Sequence, residues 1–424
     1  MKANPITAMP YLVLFAFSLA AFFIESSTCG QVPATSSTHI RQDLEYFDTN
    51  FENASPAWYD VAPDGTIVVH LLYDHERNSP NRAAGHIHFR LVSRPGTALA
   101  LEFRNLDNIY NGRPGSVANE LGTLVTSTDG INWTPMRTER IEQSRIRLAV
   151  TMQAEQLYVA RVEPYRVSDL TRMLDSMKSH PGVSVFSIGQ TVEKRELEII
   201  RLGNEQAPYH LFLRGRAHPW ESGGNWILEG FIRRLLRSHA DTDEFFKSLC
   251  VWILPMANKD GVARGLTRFN LRGKDLNRNW DKPADPILSP ENFALEKWLQ
   301  QRLSSGGRIH FAMEIHNDGN GKLHLNSPQH DQDRYLRRME VFEGLLRKHT
   351  WFTEGTTKTM HSVGTLANGW QDRFGIDGAV HEFNCQWIAG RNEPPTSRHW
   401  KQYGEGLANV FFEFFTGRPL VSAN

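Results

Sequence analysis

Residues 211–226 read LFLRGRAHPWESGGNW, and no other stretch restricts the fold of this chain so strongly. An apolar strand runs directly into a turn carrying His218 and Glu221. Gly223 and Gly224 then allow the sharp bend that opens an amphipathic run over 226–236. Open α/β sheets place their ligand sites at strand-to-helix junctions of this kind. An imidazole nitrogen and a carboxylate oxygen held together by so short a piece of backbone suit a divalent zinc ion. Other positions stay free for a distant ligand and water. An H-x-x-E pair alone is a weak signal, because His and Glu fall three apart by chance in many chains. Its weight comes from the polar residues that follow downstream.

At 424 residues the chain has room for two domains with separate cores. Lys plus Arg and Asp plus Glu balance at 47 each, so no net field favours nucleic acid or an anionic membrane. Residues 1–30 read as a secretory signal peptide: Lys2 supplies a short positive region, 11–24 (YLVLFAFSLAAFFI) are apolar, and small polar residues follow to Gly30. That apolar run is short for a membrane span. A secreted or periplasmic protein is therefore expected, meeting the membrane only through this segment during export, with an uncleaved anchor as the alternative. Residues 31–43 are rich in Ser, Thr and Pro and read as a disordered lead-in. Of the three cysteines, Cys29 leaves with the signal, and Cys250 and Cys385 are expected as two buried free thiols.

From 44 to 167 short apolar or alternating runs at 66–73, 85–92, 98–105, 122–127 and 145–150 are punctuated by Pro-Asp-Gly, Arg-Pro-Gly, Asn-Gly and Asp-Gly turns. This pattern predicts an N-terminal all-β sandwich. From 168 to 424 the period changes. A helix over 169–178 and a strand pair over 183–190 and 195–203 are followed by alternating elements. Strands are predicted at 209–215, 251–256, 310–315 and 378–384, and helices at 225–238, 290–303, 331–349 and 401–415. Strands such as VWILPM are apolar on both faces, as in a sheet buried under helices. The second region is thus α/β with a mixed sheet flanked by helices.

Three further segments carry chemistry. RIHFAMEIHND ends a buried strand with His316, FNLRGKDLNRNWD gathers Asp275, Asn277, Arg278 and Asp281 in a polar loop, and AVHEFNCQW carries Glu382 on a late strand. With these in view, the chain resembles the carboxypeptidase A-like zinc metallocarboxypeptidases. The matching segments are HPWES, PMANKDGV, TRFNLRGKDLNRNWD, EIHND and HEFN, in family order over 209–415. The preceding FENASPAWYDV, HIHFRLV, STDGINW and VARVEPYRVSDL resemble the β-sandwich domain of the cytosolic carboxypeptidase branch.

The resemblance implies the zinc carboxypeptidase fold, with a sheet of the eight-stranded type, and one zinc ion per chain held by His218, Glu221 and His316. It implies that Glu382 takes a proton from water and delivers it to the leaving amine. Arg268 would polarise the scissile carbonyl and stabilise its oxyanion. Asn277 and Arg278 would grip a free C-terminal carboxylate, and Asp275 would orient His218. Read from the residues alone, His310 competes with His316 as the ligand. His316 is favoured because it ends the strand at the sheet edge, whereas His310 begins it. Glu314 shares the strand face of His316, as an acceptor behind it or as a member of a buried ion pair. Strand alternation sends His381 and Glu382 to opposite faces.

Three positions depart from the family pattern. Trp220 stands between the ligands where the cytosolic branch has glycine and the digestive branch arginine; its bulk either narrows the pocket or stacks on substrate. Aligning on Trp370 places His361 where the digestive enzymes carry a mobile tyrosine that touches the terminal carboxylate. His361 is therefore a candidate substrate-binding residue, with an ordinary loop residue as the alternative. The same alignment brings Asn368 near the position that sets side-chain preference, and a neutral amide there marks no charge on the substrate. The expected protein is a zinc-dependent metallocarboxypeptidase acting on the C-terminal bond of peptides or proteins, with no nucleic-acid partner. The alternatives are a zinc amidase or deacylase of the same fold acting on peptidoglycan or N-acyl amino acids, and a non-catalytic binding module.

Overall fold

The computed structural model describes residues 43–74, 81–110, 112–237, 240–328, 331–357 and 364–420. The expected signal peptide and all but the last residue of the expected lead-in lie outside them. Two five-stranded sheets form the N-terminal sandwich. In spatial order one contains Tyr46–Asp48, His88–Val92, Gln156–Ala160, Thr123–Ser127 and Thr134–Arg137. The other contains Glu139–Glu142, Arg145–Thr151, Ala98–Arg104, Ile67–Leu71 and Ala57–Val61. Their inward residues, Val69, Phe89, Leu91, Leu101, Phe103, Leu148 and Val159 among them, form one apolar cluster. Asp107–Tyr110 and Arg113–Ser116 pair as a separate two-stranded hairpin.

The α/β region is built on eight strands in the order Val183–Gln190, Glu196–Leu202, Leu249–Leu254, Tyr209–Gly215, Phe311–Asp318, Gly378–Asn384, Leu323–Leu325 and Thr356–Thr357. The four central strands run parallel. Alternate residues enter different cores, which is why these strands read as unbroken apolar runs. Leu211, Leu213, Val251, Ile253, Phe311, Met313 and Ile315 face the helices Gly223–Leu236, Gln332–His349 and Ser397–Thr416. Phe212, Trp252, Leu254 and Ala312 face the opposite layer with Trp280, Leu295, Leu299 and Trp370. Helices Gly223–Leu236 and Ser397–Thr416 touch through glycine. A Cβ on Gly230 would lie 2.1 Å from the Lys401 carbonyl oxygen, and one on Gly404 2.0 Å from that of Ile227. Both thiols, Cys250 and Cys385, are free and buried.

The sandwich and the α/β region belong to one compact unit, Arg41–Asn424, and polar contacts stitch them together. Asp74 of the sandwich is buried and accepts backbone N–H groups from Thr267 at 2.8 Å, from Phe269 at 3.0 Å, and from Arg268 between them. A single carboxylate thereby satisfies three amides of the loop that carries Arg268. Replacing Asp74 by Ala would strand those donors in a buried site. The expected loss is about 3 kcal/mol of unfolding free energy in urea titrations, since an unsatisfied buried donor costs ~1–3 kcal/mol. A loss below about 1 kcal/mol would show that the loop finds other partners.

Candidate active site

His218 follows the central strand Tyr209–Gly215, and His316 lies near the end of its neighbour Phe311–Asp318. Glu382 pairs in register with His316 on Gly378–Asn384. Parallel alignment thus brings all three to the C-terminal edge of the sheet. Glu221 reaches the same point through the turn that precedes helix Gly223–Leu236. That turn is tight because a Cβ on Gly223 would lie 2.6 Å from the Asn317 amide; Asn317 Oδ1 accepts instead from the Gly224 N–H at 3.1 Å.

One carboxylate faces two imidazoles. His218 Nδ1 lies 2.8 Å from Glu221 Oε1, and His316 Nδ1 lies 2.7 Å from Glu221 Oε2. All three residues are buried, and their ligand atoms lie within 4.8 Å of one another. On the outer side of the His218 ring, Nε2 sits 3.1 Å from Asp275 Oδ1. A proton on Nε2 donated to that carboxylate leaves the Nδ1 lone pair facing inward, the tautomer a metal-ligating imidazole needs. His316 has Glu314 Oε1 3.5 Å from its outer nitrogen. Two imidazoles and one carboxylate, with both inner nitrogens turned to one point, fit a zinc ion. Burial opposes the charge on Glu221, yet His218 and His316 hold its carboxyl well below the usual range.

Around this cluster stand groups with unused polar atoms. Burial, then the neighbouring Asp318, push the Glu382 carboxyl well above its ordinary range. Its Oε2 is buried without a hydrogen-bond partner. His381, the next residue back, turns to the other side of the sheet, with Nε2 2.8 Å from the Tyr403 hydroxyl. Arg268 donates from Nε to Asp275 Oδ2 at 2.7 Å, while its Nη2 is buried and unpartnered. Asp275 thus bridges His218 and Arg268. Despite its burial, Arg268, then Arg278 and His218, hold its carboxyl well below the usual range. Arg278 donates from Nη1 to the Asn277 carbonyl at 2.8 Å and from Nη2 to the Tyr110 hydroxyl at 2.9 Å.

The other residues singled out in the sequence take varied positions. Asn277, expected to grip a carboxylate beside Arg278, is buried and already committed. Its Oδ1 accepts from the Leu366 N–H at 3.0 Å and its Nδ2 lies 3.0 Å from His316 Nε2. Trp220 neither narrows the cleft nor awaits a substrate; it packs into the sandwich core, with the Arg161 guanidinium 3.5 Å from its ring centroid. His310 stands apart from the cluster, its Nδ1 accepting from the His210 N–H at 2.9 Å. Glu314 forms a buried ion pair with Arg214 at 3.0 Å. Asn368 is buried at a helix N-terminus, where its Oδ1 accepts from the Thr365 hydroxyl at 2.7 Å. His361 lies outside the described residues. Asp74, Tyr110 and Asp318 went unread in the sequence. Tyr110 stands beside the Asn-Gly turn at 111–112, which in the sequence marks only a chain reversal.

Residues 170–360 match the family model described as zinc carboxypeptidase. The human protein named cytosolic carboxypeptidase 6 is 29% identical over 282 residues, covering 61% of this chain and 55% of its own length. The mouse protein of that name is 30% identical over 286 residues, covering 61% and 51%. The chain thus spans about half the length of these curated relatives. Among solved structures, a metallo-carboxypeptidase from Burkholderia cenocepacia superposes with a TM-score of 0.75 at 19% identity, covering 87% of this chain and 98% of its own. One from Pseudomonas aeruginosa, solved with (2-guanidinoethylmercapto)succinic acid, gives 0.73 at 19% identity, covering 87% and 100%. These likenesses show the fold expected from the sequence: a strand-rich N-terminal region followed by a mixed sheet flanked by helices. The family implies one zinc ion, for which His218, Glu221 and His316 form a candidate site. The expected secreted or periplasmic location is corrected, since the curated relatives are named cytosolic carboxypeptidases. These likenesses give no support to the membrane contact expected of the signal segment. Among the described residues no helix is long and apolar enough to cross a membrane.

Proposed function

We propose, from the premise that this chain belongs over residues 170–360 to the zinc carboxypeptidase family, that it is a zinc-dependent metallocarboxypeptidase removing the C-terminal residue of peptides or proteins. The observation that carries this reading is the convergence of two inward-facing Nδ1 atoms on Glu221, with Glu382 paired in register with His316. His218, Glu221 and His316 would hold zinc, which when bound polarises a carbonyl and makes water acidic. Asp275 keeps His218 in the ligating tautomer.

Glu382 acts as base and then acid, taking the proton of the attacking water and passing it to the departing amine. Burial beside Asp318 raises the proton affinity of its carboxylate, which favours taking a proton from water. Arg268, anchored through Nε, keeps Nη2 for the oxygen that gains charge as the carbonyl is attacked. Arg278 supplies the positive charge that recognises a free terminal carboxylate, and its planar fork suits that group. Asn277 contributes from behind, its Oδ1 accepting the Leu366 N–H and so fixing the loop beside His316.

The test compares a blocked dipeptide having a free C-terminus with the same dipeptide amidated. The expected outcome is at least a hundredfold preference in kcat/KM for the free acid, because the amide leaves the Arg278 charge without its ionic partner. Equal rates would remove the carboxypeptidase and return the amidase reading.

A further inference from the structure

We infer that Tyr110, a residue of the N-terminal sandwich, binds substrate: its hydroxyl donates to the terminal carboxylate that Arg278 attracts. This rests on the carboxypeptidase reading above and adds a residue from outside the matched segment. Tyr110 ends the strand Asp107–Tyr110 of the separate hairpin, and 49% of its surface is exposed. It is nevertheless tied to the catalytic loop. Its hydroxyl accepts from Arg278 Nη2 at 2.9 Å, and its ring centroid lies 4.9 Å from the Arg268 guanidinium carbon and 5.8 Å from that of Arg278.

The hairpin itself is held firmly. Arg82 and Ile109 exchange backbone hydrogen bonds of 2.9 and 3.0 Å, Asn108 Oδ1 accepts from the Ala84 N–H at 3.0 Å, and Asp107 Oδ1 accepts from the Tyr73 hydroxyl at 2.6 Å. Asp74, whose backbone N–H donates to the Ala83 carbonyl at 2.8 Å, fixes the backbone that bears Arg268. Hairpin and arginine loop are therefore referenced to one scaffold.

The chemistry follows from the donor count. A phenol that accepts a guanidinium N–H keeps its own proton for another acceptor, and among the described residues that proton has none. Arg278 is oriented by its Nη1 bond to the Asn277 carbonyl, so an incoming carboxylate meets the guanidinium and the phenol side by side. The ring beneath two guanidinium groups also offsets their mutual repulsion through its π face. The sandwich thereby supplies one wall of the pocket for the terminal carboxylate.

The experiment compares the full-length chain with its Tyr110→Phe variant, using a blocked dipeptide with a free C-terminus. Phenylalanine keeps the ring under the arginines and removes only the hydroxyl. The expected result is a rise in KM of about tenfold, the effect of one lost hydrogen bond to a charged group, with kcat changed less than about twofold. Zinc content and melting temperature should stay at the wild-type level. An unchanged KM overturns the inference, as does a fall in kcat with KM held or a loss of bound zinc, since either marks a structural role. A wild-type chain indifferent to amidation of the substrate fails the carboxypeptidase reading itself; a wild-type preference for the free acid with no KM response to Tyr110→Phe fails only this one.

Discussion

Glu382→Gln should lower kcat about a thousandfold while leaving KM and bound zinc near their wild-type values. The two side chains are nearly the same size, so the strand pairing with His316 persists. What disappears is the ability to accept a proton. An amide cannot collect one from water or return it to an amine. The surroundings make this substitution informative, because burial and the Asp318 charge already hold the Glu382 carboxyl well above its ordinary range. Neutralising it therefore relieves a repulsion, and the variant should be at least as stable as the parent in thermal unfolding. A Gln variant retaining more than about a tenth of the parent kcat would assign the proton transfer to another group, with Asp318 the nearest candidate.

His316→Ala is expected to do more. It removes one of the two imidazoles and leaves the buried Glu221 carboxylate with only His218. Three donors whose ligand atoms lie within 4.8 Å of one another would keep a cation in place. Two of them, both on one turn, lack the coordination that tetrahedral sites require. Both metal and turnover should be lost together, a decrease of several decades in kcat/KM measured on a free-acid dipeptide.

The parts of this site that were legible in the sequence are those whose geometry is local. His218 and Glu221 share one turn, and HPWES announces them. The buried strands were readable because Leu211, Phe212 and Leu213 feed cores on both faces, which leaves an unbroken apolar run. The strand Ala57–Val61 was missed because its residues are all partly or fully exposed, and helix Leu366–Phe374 because LANGWQDRF carries Asn and Gly where helix formers are usual. The roles of Asp74, Tyr110 and Trp220 were hidden for a different reason. Asp74 reaches Thr267 across 193 positions and Arg278 reaches Tyr110 across 168, so no local pattern connects them. Asn277 shows the limit of motif transfer. The motif places the residue in the loop, but only packing decides that its amide turns toward His316 and Leu366.

The most direct measurement is metal analysis of the dialysed wild-type chain beside its His316→Ala variant, with both circular-dichroism spectra recorded to establish equal folding. Zinc coordination by His218, Glu221 and His316 requires one zinc per wild-type chain and close to none in the variant. A variant that folds normally and retains its full complement of zinc would contradict it.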